Sequence, residues 1–103
     1  MKPEPTFGET IRALRNERNE PLRVVAAAIE IDSTLLSKIE RGERLPTSAQ
    51  IEKLAKYFGV PLDELTAKAI ADKIVLEYGH HSATLQAVKI VKERVSPHVK
   101  ESK

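Results

Sequence analysis

Apolar residues along the chain recur at intervals of three and four, which is the spacing of one face of an α-helix. No segment alternates apolar and polar residues as a half-buried strand does. Six helical segments can be separated in this way. The pattern therefore predicts an all-α protein.

Capping and turn residues give the expected ends of these helices. The expected starts are N-cap or first-turn residues, namely Thr6, Pro21, Asp32, Thr47 and Asp63. The expected stops tolerate the left-handed conformation, namely Asn19, Gly42 and Gly59. The fifth helix is predicted to continue to Tyr78, and the sixth follows a break at 79–82.

The third predicted helix separates two surfaces. At about 100° per residue, Leu35, Leu36 and Ile39 fall on one side. The other side carries only short hydroxyl residues and cations, namely Ser33, Thr34, Ser37, Lys38 and Arg41. Short side chains let the helix backbone approach closely, and cations can meet phosphates or guanine edges, so this surface suits a DNA major groove. A polar face that simply meets water is the alternative, and the helix alone does not decide between them.

Length and charge narrow the possibilities. A chain of 103 residues without cysteine is expected to form one domain with a short appendage, in a reducing cytoplasm. The first residues contain no apolar signal region, and we expect no membrane span. Residues 1–66 carry ten basic and eleven acidic side chains, so binding of a polyanion must depend on local placement of charge.

Three segments carry a resemblance to a known family: FGETIRALR, VAAAIEIDSTLLSKIERGERLPT and IEKLAKYFGVPLDEL. In this order and spacing they resemble the lambda-repressor/Cro-like (Xre-type) helix-turn-helix regulators, without gaps from Phe7 to about Leu65. The resemblance implies a five-helix DNA-binding domain over residues 6–66, whose third helix reads DNA and whose second crosses the DNA backbone. The tight link at 30–32 fits this arrangement.

The resemblance also implies roles for individual residues. The positions that match base-facing residues of the family are Ser33, Thr34, Ser37 and Lys38. The positions expected at the DNA backbone are Arg23, Arg41, Gly42 and Arg44. A structural ion pair between the first and third helices is implied for Arg15 and Glu40.

Two departures from the family pattern bear on this picture. The family often has Ser or Thr and then a DNA-contacting Gln at the start of the second helix, whereas this chain has Pro21-Leu22-Arg23. Leu22 cannot hydrogen-bond DNA, so that contact is absent or passes to Arg23. The turn often has Gly where this chain has Glu30. Either Glu30 takes the same unfavourable positive φ, or the turn is built differently.

Residues 67–96 lie beyond the resemblance and are expected to form a helical extension, followed by a flexible basic tail at 97–103. Their apolar positions have little place in a five-helix core, and the expected dimerisation residues are Ile70, Ile74, Leu85, Val88 and Val91. Folding back on the domain is the alternative to dimerisation. His80-His81 lacks further ligands nearby, so polar turn residues are expected there and no metal site.

The sequence therefore predicts a transcriptional regulator that binds double-stranded DNA as a homodimer on a pseudo-palindromic operator. A restriction-modification controller, an antitoxin and a phage-type repressor remain open as subtypes. The sequence contains no thiol, no HExxH motif and no glycine-rich phosphate loop, so we do not expect an enzyme. No cofactor or small-molecule ligand is expected either. The alternative is a protein-interaction module that uses the same fold to bind a partner protein such as a toxin.

Overall fold

A computed structural model describes residues 3–98. Over this range the chain forms six α-helices and no strand, which confirms the all-α prediction for the described residues. The helices are α1 (Phe7–Glu17), α2 (Leu22–Ala28), α3 (Ser33–Glu40), α4 (Ser48–Phe58), α5 (Leu62–Tyr78) and α6 (Thr84–Val95). Within the described part of the chain, no helix is both long enough and apolar enough to span a membrane.

Side chains cap the helices where the sequence predicted it. Thr6 and Thr47 each form a capping box, in which the hydroxyl accepts a backbone N–H and the residue three positions later bonds back to the cap. Asp32 caps α3 by accepting the Leu35 N–H at 2.7 Å. Pro21 is the N-cap of α2 rather than its first residue, so the helix begins at Leu22, one position after the expected start.

Four helices end on the same left-handed turn. The residues with positive φ are Asn19 (54°), Glu30 (66°), Gly42 (78°) and Gly59 (68°). After each of them, the next N–H bonds back to a carbonyl five residues earlier, as in a Schellman motif, at distances of 3.0 to 3.2 Å for the first two. Asn19, Gly42 and Gly59 are thus the predicted stops. Glu30 keeps the positive φ, which answers the question that the sequence left open.

The hydrophobic core draws on α1 to α5. Its largest fully buried side chains are Phe7, Ile11, Val25, Ile29, Leu36, Ile39, Leu54 and Leu65. The second helix contributes Val25 and Ala26, and Ile29 follows directly after it. Burial of these side chains is the main favourable contribution to folding, because isolated helices of seven to eleven residues are marginal in water.

The beginning of α1 lies directly against the end of α3. Gly8 is buried, and a Cβ atom built on it would overlap the backbone carbonyl oxygens of Ile39 and Glu40. Backbone atoms cannot rotate away from such an overlap as a side chain could. Only glycine therefore allows the two helices to approach this closely.

The first part of α5 holds the start of α1. The Phe7 N–H donates to Asp72 Oδ2 at 2.9 Å, and Lys68 Nζ donates to Glu4 Oε1 at 3.1 Å and to the Pro5 carbonyl at 3.2 Å. Accordingly, the chain divides into compact units at 73/74, within α5. Residues 67–73 thus belong to the first unit, although they lie past the end of the predicted DNA-binding domain at 66.

The second unit begins at Ile74 and contains the end of α5, a turn and α6. None of the residues of α6, all of which the structure describes, is buried. Ser96–His98 form a short 3₁₀ helix, and residues 99–103 of the predicted basic tail lie outside the described residues. Within this unit, Ile74, Tyr78, Ala87, Val88 and Val91 line most of an apolar groove of about 340 Å³.

We predict that Gly8→Ala destabilises the protein by about 1–3 kcal/mol, because α1 and α3 must separate to admit the methyl group. Alanine is the better helix former, so without the overlap the change would instead stabilise α1 by up to about 1 kcal/mol. Chemical denaturation measures the difference. Asn16→Ala, at an exposed position of the same helix, is the control and should leave stability equal or slightly higher. A gain in stability from Gly8→Ala would contradict the close contact.

Candidate nucleic-acid interface

The third helix has one face in the core and one in solvent. Leu36, Ile39 and Glu40 are buried, and Leu35 is half-buried against the core. On the other side, Thr34, Lys38 and Arg41 are exposed, while Ser33 and Ser37 are half-buried. The structure thus brings the five predicted outward-facing residues onto the accessible side of α3. We call these five residues the α3 outer face.

The connection between α2 and α3 is short and well ordered by backbone bonds. The Ile31 N–H bonds the Ala26 carbonyl at 3.0 Å, and the Asp32 carboxylate then caps α3. Glu30, in the left-handed conformation at the centre of this turn, accepts a hydrogen bond from Lys53 Nζ at 2.6 Å. The turn that the family builds with glycine is therefore kept, with a charged contact to α4 in addition.

The start of α2 differs from the family pattern in the way that its sequence suggested. Leu22 is half-buried and packs against the core, so its side chain serves folding. Arg23, the next residue, is exposed. At this end of α2, Arg23 is therefore the residue that is available for a DNA backbone contact.

The α3 helix ends in a loop that carries further polar groups. Gly42 takes a φ of 78°, and the Glu43 N–H bonds the Lys38 carbonyl at 2.9 Å. Gly42 and Arg44 are exposed. Among residues 3–97, neither Lys38 nor Arg44 forms an ion pair with another side chain.

Arg41 is engaged within this loop. Its Nε donates to Glu43 Oε2 at 2.8 Å and its Nη2 to Glu43 Oε1 at 3.2 Å, while Nη1 donates to the Ser37 hydroxyl. The hydrogen bond with Glu43 raises the pKa of Arg41, and the same bond lowers the pKa of Glu43. Lys38 also contributes to the lowered pKa of Glu43. The contact between Glu43 and Arg41 was not expected from the sequence, although an Arg and a Glu on either side of a glycine that ends a helix are a usable signal.

Arg15 and Glu40 form a bidentate ion pair between α1 and α3. Arg15 Nε lies 2.8 Å from Glu40 Oε2, and Nη2 lies 3.0 Å from Oε1. The side chains are only 12% and 4% exposed, so water screens the pair weakly. The hydrogen bond to Glu40 raises the pKa of Arg15. The contact that the family resemblance implied is thus present in the structure.

The same arginine continues the network to α4. Arg15 Nη1 donates to the Glu20 carbonyl at 2.9 Å, and the Tyr57 hydroxyl donates to Glu20 Oε1 at 2.9 Å. This hydrogen bond to the Glu20 carboxylate raises the pKa of Tyr57. Arg18 lies about 5 Å from the ring centres of Tyr57 and Phe58. The end of α1 is therefore tied to α3 on one side and to α4 on the other.

The predicted dimerisation residues do not all lie in one unit. Ile70 belongs to the first unit and is 56% exposed. The other four belong to the second unit, where Ile74, Val88 and Val91 line the apolar groove. Leu85 does not line the groove and is 85% exposed, the highest value among the exposed large hydrophobic side chains.

The turn that contains His80 and His81 has a local role. His81 Nδ1 accepts the Ala83 N–H at 3.1 Å, close to the start of α6. Within the described residues, no group of three or more His, Cys, Asp or Glu side chains is placed to hold a metal ion.

Two helices joined by a short turn, with the second helix partly buried and its outer face accessible, define a helix-turn-helix protein. Residues 6–68 match the family described as a helix-turn-helix domain. The match covers more than half of the chain, and the chain belongs to this family. The resemblance to Xre-type regulators that the sequence indicated is thereby confirmed.

Similar proteins include two repressors. The HTH-type transcriptional repressor RghR of Bacillus subtilis is 38% identical over 65 residues, which are 62% of this chain and 48% of that protein. The cryptic phage CTXphi transcriptional repressor RstR of Vibrio cholerae is 38% identical over 61 residues, 59% of this chain and 55% of that protein. The chain thus spans about half the length of these two relatives.

A shorter relative and a solved structure extend the comparison. Control protein C.MunI of Mycoplasma sp is 35% identical over 60 residues, which are 57% of this chain and 81% of that protein. The crystal structure of the clp gene regulator ClgR from Corynebacterium glutamicum has a TM-score of 0.55 and 25% identity, covering 90% of this chain and 93% of that chain. The helical fold is therefore shared with a known regulator.

Removing Arg15 should destabilise the protein strongly, because the Glu40 carboxylate would remain buried without its partner. We expect Arg15→Ala to lower the free energy of unfolding by about 3–5 kcal/mol, measured by chemical and thermal denaturation. Arg12→Ala removes an exposed arginine from the same helix and should change stability by less than about 0.5 kcal/mol. An equally small effect for both variants would show that the ion pair does not hold α3.

Proposed function

We propose that the protein is a sequence-specific transcriptional regulator that binds double-stranded DNA. The observation that carries this proposal is the α3 outer face. It combines hydroxyl groups and cations on the accessible side of a helix whose other side is fixed in the core. The repressors and regulators to which the chain is similar support it.

Two sets of DNA contacts belong to this proposal. The residues proposed to meet base edges in the major groove are Ser33, Thr34, Ser37 and Lys38. The residues proposed to hold the DNA backbone are Arg23, Arg41, Gly42 and Arg44, with Gly42 acting through its backbone. Sequence is read by the first set, whereas the second set fixes orientation and adds affinity that depends on salt.

We further propose that the protein acts as a homodimer on a pseudo-palindromic operator. One helix of eight residues reaches few base pairs, and two-fold dimers read half-sites about one helical turn apart. The exposed apolar side chains of the second unit support association, because large exposed apolar patches usually mark interaction sites. Ile74, Leu85, Val88 and Val91 are the proposed contacts there, and Ile70 in the first unit completes the set.

The chain is similar both to the control protein C.MunI and to the phage repressor RstR. A controller of restriction-modification genes, a phage-type repressor and an antitoxin are therefore the three subtypes that fit the proposed function. The neighbouring genes distinguish the three, because a methyltransferase gene, phage genes or a toxin gene would accompany them respectively.

Titration of DNA binding against salt tests the proposed function. We expect affinity for the DNA upstream of its own gene to fall linearly in a plot of log affinity against log salt. Lys38→Ala should change the sequences selected from a random duplex pool, by roughly 1–3 kcal/mol at the affected base pair. Arg41→Ala should weaken all sequences alike.

The control for these variants is Lys56→Ala, which removes an exposed cation from α4. It should change neither the affinity for DNA nor the sequences that are selected. No measurable affinity for any duplex at low salt would contradict the proposed function. It would favour the alternative of a protein-interaction module.

Sedimentation tests the homodimer. We expect a dimer at micromolar concentration, and Val91→Asp should weaken it at least about tenfold, because a carboxylate would enter the apolar groove. Gln86→Asp introduces the same carboxylate on α6 at an exposed polar position that does not line the groove, and it should leave the dimer intact. A monomer at this concentration, with and without operator DNA, would rule the proposal out.

A further inference from the structure

The backbone at the end of α3 places a carboxylate beside the α3 outer face. Gly42, with its φ of 78°, turns the chain back, and the N–H groups of Gly42 and Glu43 bond the carbonyls of Ile39 and Lys38 at 3.1 and 2.9 Å. Both residues flanking the turn are therefore held over the last turn of the helix. The position of Glu43 is fixed by the helix stop rather than by a flexible loop.

This carboxylate uses the donors that a phosphate contact requires. Glu43 accepts from Nε and Nη2 of Arg41, at 2.8 and 3.2 Å, and the remaining Nη1 donates to the Ser37 hydroxyl. A phosphate binds arginine through the same pair of parallel N–H groups. Arg41 cannot present this edge to Glu43 and to DNA at once. Its side chain is 48% exposed and that of Glu43 is 54% exposed, so DNA can reach the pair.

The carboxylate also acts on a second cation of this face. The Glu43 N–H bonds the backbone of Lys38, and the Lys38 charge helps to lower the pKa of Glu43. The carboxylate is therefore ionised at neutral pH. The negative charge of Glu43 thus offsets one of the two positive charges that the α3 outer face contains.

We propose that Glu43 is an internal competitor of DNA phosphate for Arg41. The inference rests on the proposed DNA-binding function and adds a residue that limits affinity. In the unbound protein Glu43 occupies the guanidinium, and binding exchanges the carboxylate for a phosphate oxygen. The ion pair between Arg41 and Glu43 is lost in this exchange. The net gain from the phosphate contact is therefore smaller than it would be for an arginine without a partner. Glu43 thereby lowers affinity for every duplex, whatever its sequence.

The test compares wild type with Glu43→Gln, which keeps the shape of the side chain and removes its charge. We expect Glu43→Gln to bind both the upstream DNA and an unrelated duplex roughly threefold to tenfold more tightly at 150 mM salt. The slope of log affinity against log salt should change by less than roughly 0.9, the value for one phosphate contact, because Arg41 contacts the phosphate in both proteins. Its melting temperature should match that of wild type, because Glu43 is exposed.

Two comparisons separate competition from a general effect of charge. Glu17→Gln removes an exposed carboxylate from α1, raises the net charge equally and should change affinity little. In an Arg41→Ala background, Glu43→Gln should change affinity less than about twofold, because the donor for which it competes is gone.

The possible outcomes distinguish failure of this inference from failure of the proposed function. Weaker or unchanged binding by Glu43→Gln, alongside measurable binding by wild type, would overturn the inference alone. An equal gain in the Arg41→Ala background would also overturn it, since the carboxylate would then act only by repelling DNA. Absence of binding by wild type and by Glu43→Gln would overturn the proposed function and this inference together.

Discussion

The position of α3 depends on the contact between its last turn and α1. The backbone of Gly8 lies against the last carbonyl groups of α3, and Arg15 holds the Glu40 carboxylate from the same helix. A helix of eight residues has little stability by itself, so these contacts and the burial of Leu36 and Ile39 fix its direction. Under the proposed function, Thr34 and Lys38 can vary with the DNA sequence, because both are exposed and neither belongs to the core.

Local signals made most of the fold predictable from the sequence. Thr6, Asp32 and Thr47 are capping residues whose hydrogen bonds involve neighbours in the chain, so their effect can be read without knowing the fold. The spacing of apolar residues gave the face of α3 that is buried. The ion pair of Arg15 with Glu40 was accessible only through the family resemblance, since no local pattern joins positions 25 residues apart.

The features that could not be predicted depend on residues that are far apart in the sequence, or on residue types that are compatible with more than one role. Asp72 accepts the Phe7 N–H across 65 positions, and the sequence contains nothing that pairs them. Glu30 occupies a backbone conformation that favours glycine, and only the structure shows that the hydrogen bonds of the turn and the Lys53 contact accompany it. The contact of Glu43 with Arg41 could not be predicted with certainty from the sequence, because an acidic residue after a helix-stopping glycine is equally compatible with a side chain that only meets water.

The exposure of α6 has a consequence for how the protein would respond to its own abundance. A helix of twelve residues without a buried side chain, all of them described by the structure, has little to keep it folded in isolation. Under the proposed dimerisation, ordering of this segment and association of two chains would form one equilibrium. Occupancy of an operator would then rise with the square of protein concentration at low levels. Operator occupancy would therefore respond more steeply to protein concentration than it would for a regulator that binds as a monomer.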